Sequence, residues 1–248
     1  HLGHGKSLPE GGTPVYFGQG STWNTVVDDI YILHQRLKQR YPDVPLCIMG
    51  HSMGSFLTRT YLIRYPGTVK AAVIMGTGWQ PQAAITGGLA LANAIAAVSG
   101  ENATSELVTE LAFGSYNKLF APNRTKVDWL SADESNVDDY IADPLCGADA
   151  TVGLFRQMLH GIRFNQRQSH LRQMDREMPV LFVAGDKDPV GSCGKGVRQT
   201  YDAFRAAGMR DCTLKLYPGL RHEILNEKAY TADITKNIEA WLLSRLEK

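Results

Sequence analysis

Gly50-His51-Ser52-Met53-Gly54 places a serine between two glycines at the spacing of a nucleophile mounted on a sharp turn. A serine hydroxyl is a weak nucleophile near neutral pH, so this reading requires a histidine to take its proton and an acid to orient that histidine. The chain supplies both, in the order Ser, Asp, His: Asp188 in Gly185-Asp186-Lys187-Asp188-Pro189, and His222 in Leu220-Arg221-His222-Glu223. The chemistry expected of the set is acyl transfer. Ser52 attacks a carbonyl, His222 acts as general base, and Asp188 holds the imidazole tautomer and its charge. The backbone N–H of Met53 is the expected donor to the oxyanion.

Rival residues have blander readings. Asp186 competes for the acid role, but an Asp in such a loop often bonds nearby backbone N–H groups, and position in the loop favours Asp188. His51 lies inside the turn as a packing or hydrogen-bonding neighbour of Ser52. His34, His160 and His170 fall on predicted helices, where a solvated or capping histidine is the ordinary account. No group of His, Asp, Glu and Cys has the spacing of metal ligands, so neither a metal nor another cofactor is expected.

A serine so placed needs a strand before it and a helix behind it. Apolar residues over 46–49 (Leu46, Cys47, Ile48, Met49) read as a strand buried on both faces, and 55–65 reads as a helix stopped by Pro66-Gly67. Residues 69–75 make a second apolar run, giving a βαβ unit and hence a parallel sheet. Strands are expected again over 179–184 and 212–217, each just ahead of one of the loops carrying Asp188 and His222. Helices are expected over 23–40, on the stripe Val26, Ile30, Leu33 and Leu37, over 197–204, and around Ile234, Ile238, Trp241 and Leu242. Between Gly76 and Met174 the strand signals vanish. The expected organisation is therefore a core in two parts, residues 1–76 and 175–248, with a helical cap over 77–174.

Composition narrows the partners. Apolar residues are 44% and charged residues 21% of 248, an ordinary globular balance. A net charge of +1 leaves no electrostatic footprint for nucleic acid or an anionic bilayer. Cys47, Cys146, Cys193 and Cys212 show no paired spacing, so they read as free thiols in a reducing, cytoplasmic setting. Two N-x-T sequons, at Asn102 and Asn123, carry little weight outside a secretory pathway. No stretch approaches the ~20 apolar residues of a bilayer span, and the N-terminus lacks a signal-peptide pattern.

The chain resembles the lysophospholipase and monoacylglycerol lipase-like α/β-hydrolases, grouped with the serine aminopeptidase S33-type domain. Gly3-His4-Gly5-Lys6-Ser7, Gly50-His51-Ser52-Met53-Gly54-Ser55, Gly185-Asp186-Lys187-Asp188-Pro189 and His222-Glu223 carry the likeness, which covers nearly the whole chain. Phe113-Gly114-Ser115-Tyr116-Asn117, Asp128-Trp129-Leu130-Ser131 and Asp143-Pro144-Leu145-Cys146-Gly147 resemble segments of bacterial lysophospholipases. The resemblance implies an ester hydrolase acting on acyl chains, small-molecule lipid-like substrates of the monoacylglycerol or lysophospholipid class, with the cap forming an apolar entrance. The cap supplies Trp79, Leu91, Phe113, Tyr116, Trp129 and Phe155 as apolar and aromatic candidates for an acyl pocket. The alternatives are a peptidase with a prolyl preference and a non-catalytic binding protein of the same fold. Family members carry further strands and a helix ahead of the Gly3 to Ser7 loop, and draw a second oxyanion donor from an upstream His-Gly segment. The sequence is accordingly expected to be a fragment or to be altered at its N-terminus.

Overall fold

The computed structural model describes residues 1–247. In chain order it contains α1 (Trp23–Arg40), β1 (Ile48–His51), α2 (Met53–Arg64), β2 (Ala72–Met75), α3 (Gln82–Ser99), α4 (Glu106–Phe113), α5 (Glu134–Ala142), α6 (Val152–Asn165), α7 (Gln168–Leu171), β3 (Val180–Gly185), α8 (Lys195–Ala206), β4 (Cys212–Tyr217) and α9 (Thr231–Leu246). The strands form one parallel sheet in the order β1-β2-β3-β4.

Every residue of β2 and β3 is buried, because helices cover both faces and the side chains alternate between them. Ile74, Val180 and Phe182 join Phe56, Leu57 and Tyr61 of α2 and Val197 and Phe204 of α8 in one cluster. Val73, Met75, Leu181 and Val183 point the other way, onto Ile234 and Ile238 of α9. Each such side chain contributes roughly 1.5–3 kcal/mol by leaving water.

Two expectations need correction. The first strand begins two residues later than its apolar run suggests, and it is not buried on both faces: Met49 is 55% exposed. Among the described residues β1 pairs only with β2, and the surface toward which Met49 points is uncovered. Helix α1 runs over the expected span, but its stripe splits. Val26 is fully buried, whereas Leu33 is 56% exposed.

Residues 77–174 hold α3 to α7 and no sheet strand; their one β contact is the isolated bridge Thr104–Thr151. Of these helices, α6 is tied directly to the core. Asn165 donates to the Phe56 carbonyl (2.8 Å) and accepts from Thr60 (2.8 Å), whose hydroxyl accepts from Trp23 Nε1 (2.8 Å). In contrast, α3 has mean hydropathy 1.3 over 18 residues with only 17% of them buried, so it is long and apolar enough to cross a bilayer by composition. That revises the expectation that no stretch comes near such a length. Its buried residues, Ile85, Leu89 and Ala92, recur at helical spacing, and Gly88 lets the helix approach Leu159 of α6.

Candidate active site

Ser52 sits between β1 and α2 with φ 54° and ψ −122°, a conformation that costs a non-glycine residue about 1–3 kcal/mol. The strain therefore lies on the serine and not on the glycines beside it. Gly50 is required for a different reason: a Cβ there would lie 2.2 Å from the Gly54 carbonyl oxygen. Gly54 has open space around it, so the close turn does not demand it. The Ser52 N–H donates to Met75 O (3.1 Å), which hooks the turn onto β2. Met53 opens α2, so its N–H has no carbonyl one turn earlier in that helix and is free for a ligand.

The candidate acid and base follow the ends of β3 and β4. Asp188 is fully buried, and its Oδ1 accepts from His222 Nδ1 (3.0 Å) and from the Val190 N–H (2.9 Å). Asp188 Oδ2 has no protein partner. Asp186 points elsewhere and accepts from the Gly219 N–H (2.8 Å), closing the turn that precedes His222. The two aspartates thus divide the work: Asp188 meets the imidazole, and Asp186 shapes the loop that delivers it.

His51 links the serine turn to the base. Its Nε2 donates to the His222 carbonyl (3.0 Å), and the two rings lie 4.5 Å apart. Gly76, at φ 57°, leaves room for both, since a Cβ would lie 3.1 Å from each ring. Burial, and then repulsion from His222, push the His51 imidazole down to about 4, so it stays neutral and keeps its donor proton.

Four of the five aromatic candidates form one cluster, which meets His222 through Trp129. The Trp129 ring lies 5.2 Å from that of His222, Phe113 stacks on Trp129 at 6.2 Å, and Tyr116 meets Trp129 edge-on at 5.2 Å. Phe155 joins them 5.6 Å from Phe113. Burial and the Asp188 charge raise the Tyr116 phenol to about 12, which keeps it protonated. Trp79 takes no part in this ring cluster; its backbone instead passes close to Gly196 of α8, and Leu91 is half-buried on α3. The histidines expected to be ordinary sit on α1 (His34), α6 (His160) and α7 (His170). Among the described residues no cluster of three or more potential metal ligands occurs.

Several supporting residues had no signal in the sequence. Arg221 donates to the carbonyls of Asp128 and Ser131 and covers the Phe120 ring. The Glu223 N–H donates to Leu130 O (2.8 Å), and Glu227 accepts from the N–H groups of Ala132 (2.8 Å) and Asp133 (3.1 Å). These contacts fasten the His222 loop to the segment bearing Trp129. Arg59, fully buried on α2, donates to Gly78 O (2.9 Å), and burial without a carboxylate partner lowers its guanidinium to about 9. Gly78 in turn lies against Val190 O, so Arg59 backs the loop that carries Asp188.

A parallel sheet with a strained serine after one strand, and a paired Asp and His after two later ones, defines an α/β-hydrolase. The family model described as serine aminopeptidase, S33 matches residues 1–229, and the chain belongs to that family. It is 31% identical to a monoacylglycerol lipase of Mycolicibacterium smegmatis, over 99% of this chain and 77% of the relative. A monoglyceride lipase of Mus musculus is 27% identical, over 99% and 72%. Among solved structures, a thermostable carboxyl esterase of Bacillus coagulans superposes with a TM-score of 0.90 at 24% identity, covering 98% of this chain and 78% of that one. That likeness is one of fold.

Proposed function

We propose that this protein is a serine hydrolase of carboxylic esters acting on lipid-like substrates, monoacylglycerols or lysophospholipids, through Ser52, His222 and Asp188. The buried pairing of His222 Nδ1 with Asp188 Oδ1 carries the reading. It fixes the proton on Nδ1 and leaves Nε2 as the base, with Asp188 stabilising the imidazolium that forms. Ser52 Oγ attacks the ester carbonyl as its proton passes to Nε2, and the Met53 N–H donates to the oxyanion. The tetrahedral intermediate collapses, the alcohol leaves with the proton from His222, and an acyl-Ser52 ester remains. Water, deprotonated by the same nitrogen, then releases the acid, so the cycle needs no cofactor.

The lipid preference is supported by the wall of Phe113, Tyr116, Trp129 and Phe155 beside His222, and by the relatives named monoacylglycerol lipase. We assign residues 77–174, which supply that wall, as the cap. A peptidase reading draws support only from the family description. The four free cysteines favour a reducing, cytoplasmic setting. The test compares 1-monooleoylglycerol, a lysophosphatidylcholine, a short p-nitrophenyl ester and proline p-nitroanilide on one preparation. Ester turnover favouring the long acyl chains is expected; faster cleavage of the anilide would transfer the assignment to a peptidase.

A further inference from the structure

We propose that the cavity between the first turn of α1 and the ends of α6 and α7 is an anion site for phosphate or a phosphomonoester, held by Arg163 and Arg167. The cavity measures about 420 Å³ and is bordered by Thr22, Asn24, His160, Arg163, Arg167 and His170. None of Ser52, Asp188, His222 or Trp129 touches it, and no carboxylate lines it. Among the described ion pairs neither Arg163 nor Arg167 has a partner, although the net charge of the whole chain is only +1. Glu101, the acid that reaches α6, is taken by Arg156. Two cations are thus concentrated in one concavity that no carboxylate lines, offset only by the C-terminal carbonyl end of α6, whose last turn carries Arg163, and their mutual repulsion is relieved when an anion enters.

The polar groups around the pair are oriented for an acceptor-rich ligand. Arg163 Nη2 donates to His160 Nδ1 (3.1 Å); since an arginine cannot accept, this fixes the His160 tautomer with its proton on Nε2. Burial and the neighbouring arginines keep that ring neutral. One carbonyl at the end of α6, Phe164 O, accepts from His170 Nδ1 (2.9 Å). On the facing wall, α1 has no acidic residue in its first turn, and the Trp23 N–H is occupied by Gln157 Oε1 (3.0 Å). The guanidinium forks, with the His160 Nε2–H beside them, suit the several oxygens of a tetrahedral phosphate better than a single carboxylate.

The experiment measures thermal unfolding of the full chain against inorganic phosphate, with ionic strength held constant by chloride. A saturable rise in Tm is expected, with apparent affinity at least about tenfold weaker in Arg163→Gln/Arg167→Gln and weakened also in Arg167→Gln alone, where the substituted side chain is exposed. Arg172→Gln, an exposed arginine outside the cavity, should behave as wild type. Phosphatidylcholine vesicles with and without phosphatidic acid identify the source: phosphate-competable binding to the acidic vesicles assigns the site to a lipid headgroup, and phosphate stabilisation without vesicle binding assigns it to a soluble phosphomonoester. No saturable response, or one unchanged in both variants, overturns the proposal.

Discussion

Two surfaces meet at His222, and they are built differently. The Ser52 turn is held by backbone: it follows a sheet strand, its N–H is hooked to β2, and Gly50 admits the next helix at contact distance. The aromatic wall opposite is held by side chains. Trp129 sits on a short 3₁₀ turn, and the segment around it is fastened by the side chains of Arg221 and Glu227 reaching across from the His222 loop. A sheet-mounted turn resists displacement because many backbone hydrogen bonds must fail together, whereas a wall stapled by a few charged groups yields when one is removed. In the proposed hydrolase the first surface carries the chemistry and the second an adjustable substrate fit.

Substitutions can break or sharpen this contrast. The largest effects belong to the chemical surface: Ser52→Ala should lower kcat on the order of 10⁶-fold and Asp188→Asn on the order of 10⁴-fold, both with native circular dichroism. On the opposite wall Trp129→Ala should act mainly on KM for long-chain esters, raising it about tenfold while a p-nitrophenyl acetate assay changes little. Comparable losses on both esters would place Trp129 with the chemistry and erase the contrast.

Stability should follow the staples. Glu227 is buried and accepts from two backbone N–H groups, so Glu227→Ala should cost about 1.5–3 kcal/mol in urea unfolding. The same variant should raise protease sensitivity around 128–136 before it affects the sheet. A smaller effect concerns pH. His51 titrates at about 4 when folded, against an ordinary 6.5, so between those values the unfolded chain binds the extra proton and stability falls on acidification. His51→Asn should flatten the dependence of unfolding free energy on pH between 6.5 and 4 by on the order of 2 kcal/mol. An unchanged slope would mean that His51 is not held neutral.

The same contrast explains what could be read from the chain. Strand, turn and helix around Ser52 are encoded by neighbouring residues, and the loops of Asp188 and His222 each follow a run of apolar residues, so local pattern suffices. Phe113, Tyr116 and Trp129 could be named by residue type and family likeness, but Trp79 was indistinguishable from them until the packing separated it. Glu227 and Ala132 lie 95 positions apart and bond only in the folded chain. The buried Arg59, on a helix with no polar face to announce it, left no periodic trace for the same reason.

The proposed hydrolysis requires Ser52 to be an activated nucleophile. The most direct measurement is intact mass and peptide mapping after fluorophosphonate treatment of wild type and Ser52→Ala. One adduct on the peptide containing Ser52, absent from the variant and slowed in Asp188→Asn, is the predicted result. Folded wild-type protein that takes no label, or label that persists in Ser52→Ala, would contradict the hydrolase assignment and favour a binding protein built on the same fold.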